Sequence, residues 1–395
     1  MNVLDKTPII GKGIGKAVKG TKQLLKYAIY HSNLFEDLGF KYLGPIDGHN
    51  LDELTEALMV AKMMQRPCLV HIYTKKGKGY APAEDNSGEY HGLPPKKDDD
   101  NNCKGECFTD AFGKALLSFA DKDNSIYAVT AAMKYGTGLQ HFYKAFPERF
   151  FDVGIAEQHA VTFSAGLASQ GKLPVFAVYS SFLQRSYDQL IHDCAIEKRH
   201  IVLGIDRAGF VGEDGETHHG LFDVAMLTTV PGVTVYSPSD TAELSQCLEQ
   251  ALYKDKGIVA VRYPRGCELY RSGTKAYSDF RHVSNKSRKL IFTYGRISAY
   301  AYTIHGVDVL QAIKIFPIAD EMIDICLAYD EIYAFEEGER EGGIAQKLCT
   351  ALALAGFKGR FTITAVDGFV RHADVAAQLH NAMLDADGMR KITGE

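Results

Sequence analysis

The sequence predicts an α/β protein. A doubly wound parallel sheet forms its centre, with a smaller C-terminal α/β domain after it and an incomplete α/β unit before it. Three observations carry this. Residues 107–270 alternate short apolar runs with longer stretches of helical spacing, the pattern of strands and helices feeding a parallel sheet. The alternation resumes at Leu290 after a polar interval. Residues 36–73 read as one strand–loop–helix–strand unit, and an isolated unit of that kind cannot bury both faces of its sheet.

Taken in order, residues 1–35 set Lys6, Lys12, Lys16, Lys19, Lys22 and Lys26 against Asp5 alone. They read as a solvated helix and loop, with an anion-binding or targeting arm as the alternative. Gly11, Gly13 and Gly15 mimic a phosphate loop, but Lys16 stands where the dinucleotide fingerprint needs its third glycine. Gly44-Pro45 and Asp47-Gly48 are turn signals. Leu51 to Met64 follows as a helix with Leu54, Leu58 and Ala61 on one face; Pro67 stops it, and Cys68 to Tyr73 is a strand.

After a charged linker at 96–106, Phe108, Phe112, Leu116 and Phe119 make a helical stripe with Thr109 as a possible N-cap. Strands are expected at 126–130, 151–153, 173–179, 201–206, 233–236 and 258–262, with helices at 156–167, 182–196 and 241–253. Residues 271–286 read as a second linker. The last domain, 287–395, carries strands at 290–294, 331–336 and 361–366 and a charged glycine-rich loop at 337–343; its expected work is packing and subunit contacts.

Composition excludes several classes. The net charge of −5 points to neither nucleic acid nor membrane, and no apolar run approaches a transmembrane length. Eight cysteines in 395 residues are too sparse for a disulfide scaffold. All eight read as reduced, Cys103 and Cys107 lack a second ligand pair for zinc, and the compartment expected is the cytoplasm.

In an open α/β sheet, the loops at the carboxyl ends of the strands gather on one edge, where ligands bind. Here those loops are 131–133, 154–159, 179–185, 206–219 and 262–266. Glu157 opens the helix after the 151–153 strand. By spacing alone it offsets a helix N-terminus, an effect of ~0.3–1 kcal/mol. Lys75, Lys76 and Lys78 lie between glycines on a turn that can hold a phosphate or merely meet solvent.

The residues around Glu157, GIAEQHAVTFSAGLA from Gly154 to Ala168, resemble the pyrimidine-domain signature of thiamine diphosphate (ThDP) enzymes. With Gln158-His159 after the glutamate, they resemble the 1-deoxy-D-xylulose 5-phosphate synthase family. The segments KKGKGYAPAE (75–84), YSSFLQR (179–185), DRAGFVGEDGETHHG (206–220) and RYPRG (262–266) are similar to motifs of that family. The resemblance runs from about residue 36 to the end and is strongest in 40–92 and 126–266.

It implies a transketolase-like transferase that condenses pyruvate with glyceraldehyde 3-phosphate, with loss of CO2. The product, 1-deoxy-D-xylulose 5-phosphate, is a precursor of isoprenoids, thiamine and pyridoxal. Glu157 would hold N1′ of the aminopyrimidine, with Phe182 stacked on that ring and Tyr80 and Met133 as further cofactor contacts. Arg207 and Arg265 would take the substrate phosphate, as two guanidiniums suit a dianion. Tyr179 and Arg185 would face the substrates. Asp214 and His218 would handle protons, and His91 would line the active site. His219 reads as a loop histidine without a role of its own.

The family's diphosphate and Mg2+ pocket rests on a Gly-Asp-Gly motif with a downstream Asn, and no Gly-Asp-Gly occurs in this sequence. The expectation is therefore a chain lacking most of the diphosphate-binding domain, with residues 1–95 as its remnant and no metal ligands of its own. It would bind ThDP weakly and be inactive alone; the partner expected is a second copy of the chain, as a homodimer, or a partner chain that supplies the diphosphate-binding domain. Two alternatives stay open: a non-catalytic fragment or interaction module, and half of another transketolase-like ThDP enzyme.

Overall fold

The computed structural model describes residues 34–91, 106–271, 273 and 276–395. The lysine-rich stretch up to residue 33, Cys103 and most of the 96–106 linker lie outside the described residues. The chain divides into two compact units, Met1–Lys96 and Lys97–Glu395.

The first unit holds a two-stranded parallel sheet, β1 (Lys41–Asp47) and β2 (Cys68–Tyr73), with Lys41 opposite Cys68. The helix Leu51–Met63 crosses between them, capped by the Asn50 side chain accepting from the Glu53 amide at 3.3 Å. No residue of that helix is buried. Leu54 and Ala61 are half-buried as the spacing predicts, but Leu58 is exposed. Two strands make too narrow a floor to cover the whole apolar stripe.

The second unit is built on two sheets. A seven-stranded sheet contains β3 (Ile126–Thr130), β4 (Phe150–Asp152), β5 (Leu173–Tyr179), β6 (Ile201–Asp206), β7 (Thr234–Tyr236) and β8 (Ile258–Arg262). Its order is β12-β7-β8-β6-β5-β3-β4. All neighbours are parallel except β12 (Lys314–Phe316), which runs antiparallel to β7.

Alternation along the strands covers both faces. Val175 and Ala177 of β5 pack under the helices Phe108–Lys122 and Thr241–Tyr253. Phe176 and Val178 pack with Ala160 and Val161 of the helix Glu157–Ser169. Asp240 caps Thr241–Tyr253 by accepting from the Glu243 amide at 2.8 Å. The expected cap Thr109 is instead the second residue of its helix, because its hydroxyl donates to Asp206 at 2.7 Å and not to its own backbone.

The five-stranded sheet has the order β14-β13-β10-β11-β9. Its strands are β9 (Phe280–Val283), β10 (Lys289–Tyr294), β11 (Asp308–Ala312), β13 (Glu331–Glu339) and β14 (Arg360–Val366). Several expectations are corrected here. The polar 271–286 stretch contains β9, which pairs antiparallel with β11. The supposed loop from Glu337 begins as strand, since β13 runs to Glu339 and Glu337 is buried in an ion pair with Arg296. Cys267 is disulfide-bonded, so not all eight cysteines are reduced.

Candidate active site at the carboxyl edge of the seven-stranded sheet

β4 ends at Asp152, whose carboxylate accepts from the amides of Ala132 (2.8 Å) and Gly154 (3.0 Å). Gly154, at φ +72°, turns the chain, and the helix starts on Glu157. The Glu157 side chain is only 2% exposed, and Arg185 Nη1 donates to its Oε2 at 2.6 Å. A buried carboxylate needs such a partner. Arg185 can reach because the expected 182–196 helix is not uniform. It winds as an α turn (Ser180–Leu183), a 3₁₀ turn carrying Arg185 (Gln184–Ser186), a short α segment (Tyr187–Gln189) and a π segment (Leu190–Ala195). Changes of winding of this kind concentrate at functional sites.

Tyr179 ends β5. Its ring stacks on Phe182 (5.6 Å between centroids), and Phe182 meets the edge of the His218 ring at 5.2 Å. Thr217 Oγ1 lies 2.9 Å from Nδ1 of His218. Burial pushes the Tyr179 phenol above its ordinary pKa, so it stays neutral. Gly136 packs on that phenol so closely that a Cβ would sit 1.9 Å from the hydroxyl. Ser180 and Ser181, which separate Tyr179 from Phe182 in the chain, have buried hydroxyls without a hydrogen-bond partner.

Arg207 follows β6 with φ +62°. Its guanidinium lies 4.2 Å over the Tyr179 ring and donates through Nη1 to Asp206 (2.9 Å) and the Gly136 carbonyl (2.6 Å). Its Nε is buried without a hydrogen-bond partner, 3.9 Å from Asp214 Oδ2. Arg265 reaches the other oxygen of Asp214 at 3.0 Å. The two arginines thus share one carboxylate.

The remaining candidates have other surroundings. Met133 is buried in the core, with its carbonyl accepting from the Thr137 amide and hydroxyl, both at 2.9 Å. His219 is buried behind the loop, with Nδ1 accepting from the Val211 amide at 3.2 Å; burial lowers its pKa. Tyr80 and His91 belong to the first unit. There Tyr80 meets Tyr90 edge-on at 5.6 Å, and Lys76 Nζ contacts His91 Nδ1. Lys75 pairs with Glu84 at 2.7 Å, which leaves it less available to an anion than its position suggests.

Sequence reasoning missed Thr109, Gly136, Arg296, Glu337 and Gln378, all of which touch the loops of the site. The last three stand in the C-terminal part of the chain, and no local spacing connects them to the site. Among the described residues, no cluster of three or more His, Cys, Asp or Glu could hold a metal ion, and no helix is long and apolar enough to cross a membrane.

The pyrimidine-binding domain model of transketolase matches residues 107–268. The 1-deoxy-D-xylulose-5-phosphate synthase model matches residues 1–74, which extends the likeness to the first residue, well before the start near residue 36 that the motifs suggested. The 1-deoxy-D-xylulose-5-phosphate synthase of Clostridium kluyveri is 47% identical over 311 residues, covering 76% of this chain and 49% of that protein. The enzyme of that name from Caldanaerobacter subterraneus subsp. tengcongensis is 39% identical over 405 residues, covering 98% of this chain and 65% of that protein.

The chain therefore spans about half to two thirds of the length of these curated relatives. Among solved structures, a split-gene transketolase described as an inactive β4 tetramer superposes with a TM-score of 0.63 at 23% identity. The match covers 72% of this chain and 96% of that one, and shows the shared fold. Sequence and fold together place the chain in the 1-deoxy-D-xylulose-5-phosphate synthase family of transketolase-like proteins.

Proposed function

We propose that this chain carries the pyrimidine-facing and substrate-facing half of a 1-deoxy-D-xylulose 5-phosphate synthase site, which joins pyruvate to glyceraldehyde 3-phosphate with loss of CO2. The observation that carries this is that a buried carboxylate, Glu157, and two arginines that share Asp214, Arg207 and Arg265, all stand just beyond the carboxyl ends of parallel strands of one sheet.

The residues present fit the pyrimidine half of ThDP. Glu157 would hold N1′, Phe182 would face the ring, and the unpartnered hydroxyls of Ser180 and Ser181 offer hydrogen bonds beside it. Tyr80 and Met133 are proposed as further cofactor contacts. Bound ThDP would supply the carbanion chemistry that joins the two substrates. The chain's own residues bind and orient. The unpartnered Nε of Arg207 and the exposed side of Arg265 would take the phosphate oxygens, Tyr179 would present a neutral hydroxyl, and His218 and Asp214 would move protons at the aldehyde oxygen. His91 is proposed as an active-site histidine on the strength of its motif alone. Arg185 would exchange its contact with Glu157 for one with substrate when the ring arrives.

The residues do not fit the diphosphate and its Mg2+, because the sequence holds no Gly-Asp-Gly. We therefore infer that ThDP affinity is low in this chain by itself, and that a partner chain bearing the motif completes the site. The test is product analysis by mass spectrometry with pyruvate, glyceraldehyde 3-phosphate, ThDP and Mg2+, with and without a diphosphate-binding domain from a relative. We expect product only in the complemented mixture, and a loss of about 10²–10⁴-fold with Glu157→Gln. Complementation without product, or full activity in the Gln variant, would overturn the reading.

A further inference from the structure

Arg296, in the 3₁₀ turn Gly295–Ile297 after β10, and Glu337, within β13, form a buried ion pair. Arg296 Nε donates to Glu337 Oε2 at 2.9 Å, and Nη2 contacts Oε1. The rest of their hydrogen-bonding capacity is directed at the seven-stranded sheet. Glu337 Oε1 accepts from the Phe210 amide at 2.7 Å, and Arg296 Nη2 donates to the Phe210 carbonyl at 2.8 Å. Arg296 Nη1 donates to the Arg265 carbonyl at 3.4 Å. One ion pair thus grips the main chain of both loops that bear the site arginines, at residue 265 itself and three residues after Arg207. At Gly209, whose φ is +79°, a Cβ would lie 2.4 Å from Glu337 Oε1, so only glycine lets the loop lie on the carboxylate.

A buried ion pair contributes little net stability, since desolvation offsets the attraction. What it does provide is a directional hold on backbone amides and carbonyls. We propose that Arg296 and Glu337 are positioning residues that set the separation of the Arg207 and Arg265 guanidiniums, and so the affinity of the site for a phosphate monoester. The identity of that anion rests on the function proposed above; the hold on the two loops does not.

The full chain, as wild type, Glu337→Gln and Arg296→Lys, would be titrated calorimetrically with inorganic phosphate. Amide hydrogen exchange would be followed at Phe210, and melting temperature recorded as a control for folding. We expect folded variants to exchange faster at Phe210 and to bind phosphate about tenfold more weakly, the loss of one charge-assisted hydrogen bond. If a variant fails to fold, Gly209→Ala displaces the loop without altering the pair and should give the same two changes. Unchanged exchange at Phe210 in folded variants overturns the proposal. If the wild type binds no phosphate, the phosphate reading of the arginines fails, and exchange at Phe210 alone then decides the positioning role.

Discussion

At the scale of single residues, Asp214 contacts both arginines that are proposed to take the substrate phosphate. It contacts Arg265 at 3.0 Å and stands 3.9 Å from the unpartnered Arg207 Nε. On the proposed function, an incoming phosphate would compete with this carboxylate. Asp214→Asn is expected to tighten inorganic phosphate binding by up to about fivefold, the strength of a partly exposed ion pair. Calorimetry checks it, and weaker binding in the variant contradicts the placement. His219 offers a second test. Burial lowers its pKa, so below about pH 6.5 the unfolded chain takes up a proton that the folded chain refuses. Its contribution to stability is complete above that value and is lost as the pH falls. Denaturant midpoints measured between about pH 5.5 and 7.5 should drop less for His219→Gln than for wild type. The motif positions of Glu157, Arg207 and Arg265 were legible in the sequence because each sits in a short run of characteristic residues. That Arg185 turns onto Glu157 was not, because it depends on a 3₁₀ turn that no local pattern announces.

At the scale of elements, close approach decides what a position tolerates. Gly204 in the middle of β6 lies under the Phe112 ring of the helix Phe108–Lys122, and a Cβ there would be 2.4 Å from Cζ. Gly204→Ala should cost about 1–3 kcal/mol through overpacking. Urea denaturation measures it, and a neutral result would mean the helix can shift. The core strands could be read directly because they are continuous β-branched runs between turn residues, buried on both faces. Strands β9 and β12 could not. Phe280-Arg-His-Val283 reads as polar, and Lys314–Phe316 has only three residues; each is a strand because a neighbour offers an open edge. The winding of 180–195 was hidden for a related reason, since its apolar residues fit an ordinary helix equally well.

At the scale of the second unit, the two sheets are joined by more than adjacency. β12, from the C-terminal part of the chain, completes the seven-stranded sheet. Arg281 of β9 pairs with Glu243 at 2.7 Å, and Gln311 of β11 donates to the same carboxylate. Phe210 and Leu221 of the site loop are buried in the core of the five-stranded sheet. Residues 106–395 should therefore unfold as one cooperative body. Native-state hydrogen exchange at rising denaturant should show β6 and β13 losing protection together; separate losses would refute it. Asp223→Ala, which strands the fully buried Arg262, should lower both by about 3–5 kcal/mol.

By itself the sequence determined the α/β alternation, most strand positions and the motif residues, because hydrophobic period and turn chemistry are local properties of the chain. Tertiary structure alone decided which charges meet: Arg185 with Glu157, Asp214 between two arginines, and Arg296 and Glu337 behind them. Those pairings join residues distant along the chain, and their geometry exists only once the sheets have packed and desolvation forces each buried charge to find a partner.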